Sequence, residues 1–228
     1  MSNIDIEKTL SSEYTSITKD ILEVGLDSIL DDGILKDFPL IGGFVSLGKI
    51  GITINDRIFI KKLIHFLYET QNIPKHKREE VINKINESNK YQLSVGEKII
   101  FILDKADSIS KAKHVGKLFR YVLEEKIGYE MYSRCVNAIN MIYDSDLTHF
   151  LKTQITDFSG SIEKDGLINS GILKVVSAEG ETTMGGSVFE LKYIISEVGE
   201  CLRKYLGDKE EDWNYLQSLV QDNSKNKW

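Results

Sequence analysis

Between Phe38 and Ile54 the chain reads FPLIGGFVSLGKIGITI, seventeen residues with one charge, Lys49, and four glycines. This segment constrains the fold more than any other. A helix that crosses a bilayer needs about 20 apolar residues, so the run is short for a span, and Lys49 lies inside it. Each glycine in a helix interior costs about 1 kcal/mol relative to alanine. A helix here therefore needs close packing in return. Two arrangements supply it. In one, Phe38, Leu40, Ile41, Gly42, Gly43, Phe44, Val45, Leu47, Gly48, Ile50 and Gly51 form a tightly packed core element. In the other, the same residues leave the core and insert into a lipid surface, where the Gly42/Ser46 spacing suits close helix approach.

The flanking charge is uneven. Residues 1–37 carry nine acids against three bases, and residues 55–126 carry fifteen bases against ten acids. An acidic first segment is expected to pack near a basic second one, within one chain or across a dimer. Met1 to Leu10 has no basic stretch of the kind that opens a secretory signal. From Asn3 to Asp32 the apolar residues Leu10, Tyr14, Ile17, Ile21 and Val24 recur at alternating four- and three-residue intervals. That spacing predicts one amphipathic helix over 1–37, ending near Gly33, whose stripe packs on its own domain or pairs with a second subunit.

The next hundred residues carry helical periods with short breaks. Ile60, Leu63, Ile64 and Leu67 share a face, and Pro74 ends that helix. Helices are expected at Lys75–Glu87, Tyr91–Lys105, Asp107–Glu125 (capped by Asp107, Ser108 or Ser110), around Tyr132–Ile142, and from Asp144 onward. Residues 38–156 thus read as a helical bundle. After Ser159 the period changes. A short helix ends at Gly171, Ile172–Val176 and Ser187–Tyr193 read as strands, and Ser196 caps a helix over Glu197–Leu206. Helix, strand, turn, strand, helix over 157–206 is the outline of a winged helix. The expected fold class is mainly α, a helical bundle with a degenerate winged-helix-like α+β element, followed by a polar tail at 207–228.

The motifs of common chemistries are missing. The glycines of 38–51 match neither G-x-G-x-x-G nor the Walker pattern. Of the four histidines, His65, His76, His114 and His149, none lies three or four residues from another. No helix therefore presents a two-histidine metal face. Asp144-x-Asp146 begins like a calcium loop, but His149 stands where glycine is needed and Ile155 where a bidentate glutamate is needed. Cys135 and Cys201 lack zinc spacing and nucleophile signatures, and they read as buried reduced thiols. Neither a cofactor, a metal nor a small-molecule substrate is inferred, and the chain reads as non-enzymatic. The helix before the first strand offers Glu163 and Asp165 against Lys164, an unpromising set for reading DNA.

The order of parts resembles a bacterial family. The apolar glycine-containing stretch leads into Asp56-Arg57 and a Lys/Ile/Leu-rich helix. A helical middle carries Lys111-Ala112-Lys113 and Leu118-Phe119. The end reads Asp165-Gly166-Leu167-Ile168-Asn169-Ser170-Gly171-Ile172-Leu173, a variable turn, then Ile194-Ile195-Ser196-Glu197-Val198-Gly199-Glu200-Cys201-Leu202. Over 38–206 this ordering is similar to the Abi-alpha group of abortive-infection proteins. The resemblance implies a role in resistance to phage, with 38–54 as the effector part of a membrane-active version, and it carries over no catalytic residue. The alternatives are a winged-helix nucleic-acid-binding regulator and an oligomeric scaffold. A protein partner or self-association is expected, a membrane is open as a partner, and nucleic acid is less favoured. The expected location is the cytoplasm, with room for peripheral contact with the inner membrane.

Overall fold

Four helix starts in this chain carry side chains that satisfy orphan backbone donors. They lie in a computed structural model describing residues 6–12, 17, 22, 53–88, 93–153, 163–183 and 186–207, and the caps at Ser108 and Ser196 fall where the sequence puts them. Thr53 and Asp56 form a capping box at the start of one helix, and Ser94 and Glu97 form another. Ser108 accepts from the Lys111 amide, and Ser196 from the Gly199 amide. The described elements are α1 (Ile6–Leu10), α2 (Ile54–Thr70), α3 (Lys75–Glu87), α4 (Val95–Lys105), α5 (Ile109–Leu123), α6 (Tyr129–Met141), α7 (Asp144–Lys152), α8 (Lys164–Asn169), β1 (Leu173–Thr183), β2 (Gly186–Ile195) and α9 (Glu197–Leu206). The class is mainly α with one two-stranded antiparallel sheet.

The chain divides into two compact units, residues 1–140 and 141–228. α7, whose spacing suggested membership of the bundle, therefore groups with the hairpin. Its apolar face, Leu147, Phe150 and Leu151, is buried, as are Leu167, Leu173 and Leu202 of the same unit.

In the first unit the core is made from one face each of α2 to α6. Ile60, Leu63, Phe66 and Leu67 of α2 are buried together with Val115, Leu118, Phe119 and Val122 of α5. These two helices lie unusually close at Gly116, where a Cβ would come within 3.0 Å of the Phe66 backbone. They run in the same direction. Lys62 reaches the Leu103 and Ala106 carbonyls just ahead of α5, Phe66 meets Gly116, and Glu69 meets Arg120. Phe66, Phe119, Tyr132 and Tyr129 form a chain of rings with neighbouring centroids 5.5–5.6 Å apart.

The expectation of one helix from Asn3 to Asp32 is corrected. α1 ends at Leu10, and Ser11 and Ser12 turn the chain. The reason is local. Ser12 Oγ donates to the Thr9 carbonyl at 2.7 Å, a bond that competes with helix continuation. In addition, Arg78 on α3 claims the Leu10 and Ser12 carbonyls. Ile17 is buried and non-helical.

In the second unit α8 ends in a Schellman motif. Gly171 adopts φ +79°, its amide donates to the Ile168 carbonyl, and the Ile172 amide donates to the Leu167 carbonyl. β1 and β2 then pair from Leu173↔Ile195 out to Thr183↔Gly186, longer than the predicted strands, with Val176 as a bulged residue between Val175 and Ser177. The Ser196 amide returns to the Ile172 carbonyl at 2.9 Å and its hydroxyl to the Gly171 carbonyl at 2.6 Å. The turn after α8 and the start of α9 are thereby locked together.

Candidate functional site

The residues singled out from the sequence divide between core and chain outside the described region. Phe38, Leu40, Ile41, Gly42, Gly43, Phe44, Val45, Leu47, Gly48, Ile50 and Gly51 lie outside the described residues, as do Tyr14, Ile21 and Val24. Leu10 and Ile17 are buried within the first unit. They serve that unit's own core.

What anchors α1 there is a set of polar contacts that the sequence did not single out. Glu7 Oε1 accepts from the Gly96 amide at 2.9 Å and from the Asn86 side chain at 3.2 Å, while Asn86 Oδ1 accepts from the Val95 amide at 2.9 Å. A carboxylate from the acidic segment thus sits on the positive end of α4. At the other end of α1, the buried guanidinium of Arg78 donates to the Leu10 carbonyl at 2.7 Å and also to the Ser12 and Ile73 carbonyls. α1 thus packs on α3 and α4 through these two contacts, and neither of them joins an acid to a base.

Two more buried cations do similar work. Lys62 Nζ closes the end of α4 by donating to the carbonyls of Leu103 (2.8 Å), Asp104 (3.3 Å) and Ala106 (2.7 Å). Burial lowers its pKa, opposed by Asp104 and Asp107. Lys111 is fully buried and bonds Asp107 Oδ2 at 2.9 Å. The signal was present in each case. Lys111 lies four residues before Val115 and Arg78 four before Ile82, which places both on apolar stripes.

A group of interacting titratable side chains lies along the seam of α2 and α5. His65 and Glu69 are one turn apart on α2, and Lys113, Lys117 and Arg120 line the facing edge of α5. His65 is only 4% exposed, and its Nδ1 has no hydrogen-bond partner among the described residues. Burial, then the charges of Lys113 and Lys61, lower its pKa to about 4, so the imidazole is neutral at physiological pH. Burial raises the Glu69 carboxyl above its ordinary range, opposed by Lys117, Arg120 and Lys113. Arg120 approaches Glu69 at 3.7 Å and Glu124 at 3.8 Å. Toward solvent the seam presents Lys113, which is exposed, and half-buried Lys61 and Lys117. The interior of the seam is therefore uncharged or paired, and its rim is cationic.

Lys61 also belongs to a second feature. Ile54, Ile58, Lys61 and His65 follow at intervals of four, three and four residues, one stripe of α2. Along it exposure falls from 76% at Ile54 and 49% at Ile58 to the covered His65. The stripe starts where the apolar 38–54 segment ends.

In the second unit the helix ahead of the hairpin, α8, carries Lys164, whose ammonium stands 5.5 Å from the Tyr193 ring centroid, beside Glu163 and Asp165. Gly166 faces the Asp146 carboxylate, 3.2 Å from where a Cβ would stand. The surroundings of α8 are acidic. Cys135 and Cys201 are both buried thiols. Among the described residues no three His, Cys, Asp or Glu side chains gather as a metal site, and no helix is long and apolar enough to cross a membrane. Comparison with family models, with curated proteins and with solved structures finds no match to this chain.

Proposed function

We propose that this chain is a non-enzymatic bacterial defence protein of the abortive-infection kind, directed at a lipid surface through the apolar 38–54 segment. The observation that carries the reading is the continuity between that segment and the start of α2. A run with one charge in seventeen residues passes directly into Ile54 and Ile58, both on the surface of the helix. Large aliphatic side chains exposed one turn apart lose little by moving into lipid, and glycines lower the cost of the conformational change such a move needs. The resemblance in the order of parts supports the defence role.

The alternatives have less support. Leu10 and Ile17, two of the five residues of the proposed dimer stripe, are already buried within the first unit. The acidic setting of α8 weakens the winged unit as a reader of duplex DNA.

The test has two arms. Bacteria expressing the chain are challenged with a panel of phages, and reduced plating is expected from wild type but not from Phe44→Asp. The purified protein is added to dye-loaded vesicles, where leakage is expected from wild type and not from Gly43→Asp or Phe44→Asp. Equal leakage from all three proteins ends the membrane reading, and unchanged plating across the panel ends the defence reading.

A further inference from the structure

We propose that the open edge of the α2–α5 seam, comprising Ile54, Ile58, Lys61, Lys113 and Lys117, is a docking surface for anionic lipid headgroups. The inference rests on the membrane reading above and assigns it a second, electrostatic contact.

Ile54 and Ile58, on the first turns of α2, are 76% and 49% exposed. Lys61 and Lys113 flank the covered His65. Lys117 follows one turn further along α5, beside Glu69. Among the described residues Lys61, Lys113 and Lys117 enter no ion pair within 4 Å, whereas Arg120 on the same edge is engaged with Glu69 and Glu124. The edge thus combines two protruding aliphatic side chains with three ammonium groups, two of which also feel the half-buried Glu69.

That combination selects its partner. Surface-lying protein elements bury apolar side chains at the headgroup boundary while lysines meet anionic lipids. A polyphosphate backbone would use the lysines but would set Ile54 and Ile58 against charge. Charge complementarity picks anionic lipid over neutral lipid. Of the acids near the edge, Asp56 is committed to the Thr53 cap, accepting from the Thr53 amide at 2.9 Å and its hydroxyl at 2.7 Å, and Glu69 is half-buried with Arg120 3.7 Å away. This patch is locally basic in a chain whose net charge is -6, so nonspecific attraction of the whole protein to anionic vesicles is not expected.

The test is partition of the full chain onto phosphatidylcholine vesicles and onto vesicles with about one-third phosphatidylglycerol, at low salt. Wild type is expected to prefer the anionic vesicles. A near-surface lysine contributes about 5-fold in partition, so the triple variant Lys61→Gln, Lys113→Gln, Lys117→Gln is expected to lose roughly 100-fold on anionic vesicles and little on neutral ones. Ile58→Asp is expected to weaken both. The triple variant also removes two of the cations that offset the buried Glu69 carboxylate, so its unfolding midpoint by circular dichroism is expected to fall somewhat, and partition of both proteins is read well below both midpoints. Equal partition of wild type onto both vesicles, or an unchanged triple variant, overturns the seam proposal and leaves the membrane reading standing. No partition onto either vesicle removes both. Duplex DNA that binds more tightly than vesicles, and competes them off in wild type but not in the triple variant, would reassign the edge to nucleic acid.

Discussion

Replacing His65 with leucine should flatten the acid side of the stability profile. The imidazole is covered, its Nδ1 is unpartnered among the described residues, and its pKa is held at about 4 against 6.5 in an unfolded chain. A histidine with a depressed folded pKa contributes stability above its unfolded pKa. That stability is lost as pH falls, because the unfolded chain takes up the proton first. The window here runs from 6.5 down to about 4. Integrated between about pH 7.5 and about pH 5, the two pKa values give a loss of about 2 kcal/mol from this one group. Glu69 works in the opposite sense. Its folded pKa is raised, so the native carboxyl takes a proton before the unfolded one and adds stability as pH falls through that value. Comparing two proteins that both retain Glu69 removes most of its contribution. The assay is urea unfolding of wild type and His65→Leu at both pH values, with stability taken from midpoint and slope. Wild type should lose about 2 kcal/mol more than the variant between the two conditions. Parallel losses in the two proteins would mean that the covered imidazole does not titrate as argued. A larger loss in the variant would mean that the imidazole is charged in the native state.

Three further substitutions probe other parts of the fold. Arg78→Met removes the donor to the Leu10, Ser12 and Ile73 carbonyls, and it should cost about 3 kcal/mol or more and free α1 for rapid amide exchange. Slow exchange persisting in α1 would show that Glu7 holds it alone. Glu125 occupies the left-handed position after α5 at φ 56°, so Glu125→Gly should stabilise by about 0.5–1 kcal/mol in thermal unfolding despite losing its exposed contact with Lys84. A Cβ on Gly199 would lie 2.5 Å from the Ile172 carbonyl oxygen, so Gly199→Ala should destabilise the second unit by about 1–2 kcal/mol even after the helix-propensity gain, whereas a stabilised variant would mean that the turn relaxes freely.

Much of this fold was legible because its signals are local. Ser108 and Ser196 are capping residues in sequence and in space. Gly171 closes α8 because only glycine takes φ +79° without strain. The apolar periods of α2, α4 and α5 predicted which of their faces are buried. The failures arose where a distant group overrode a local pattern. The four-three spacing from Leu10 to Val24 predicted a continuous helix, and neither Arg78, 68 residues beyond Leu10, nor its claim on the Leu10 carbonyl can be read from that spacing. Lys62 and Lys111 find their partners in backbone carbonyls and a capping-region aspartate. Residue type alone cannot reveal such partners. The place to look was a base on an apolar stripe, where burial demands a partner.

The same contrast explains how the seam came to be a candidate site. Periodicity assigns Ile54, Ile58, Lys61 and His65 to one stripe, but it gives no information on how far along that stripe the neighbouring helix extends. The answer lies in Gly116. Without a side chain it brings α5 against the α2 backbone at Phe66, and it fixes the register that pairs Glu69 with Arg120 and sets Lys113 beside His65. Once that register is fixed, everything on the stripe two turns ahead of His65 is left outside the core, and the isoleucines there are exposed as a matter of geometry. A bulkier residue at 116 would have to push the helices apart, opening water to His65 and Phe66 together. The close approach therefore accounts for both properties of the seam, a neutral imidazole within it and an apolar, lysine-rimmed edge beyond it.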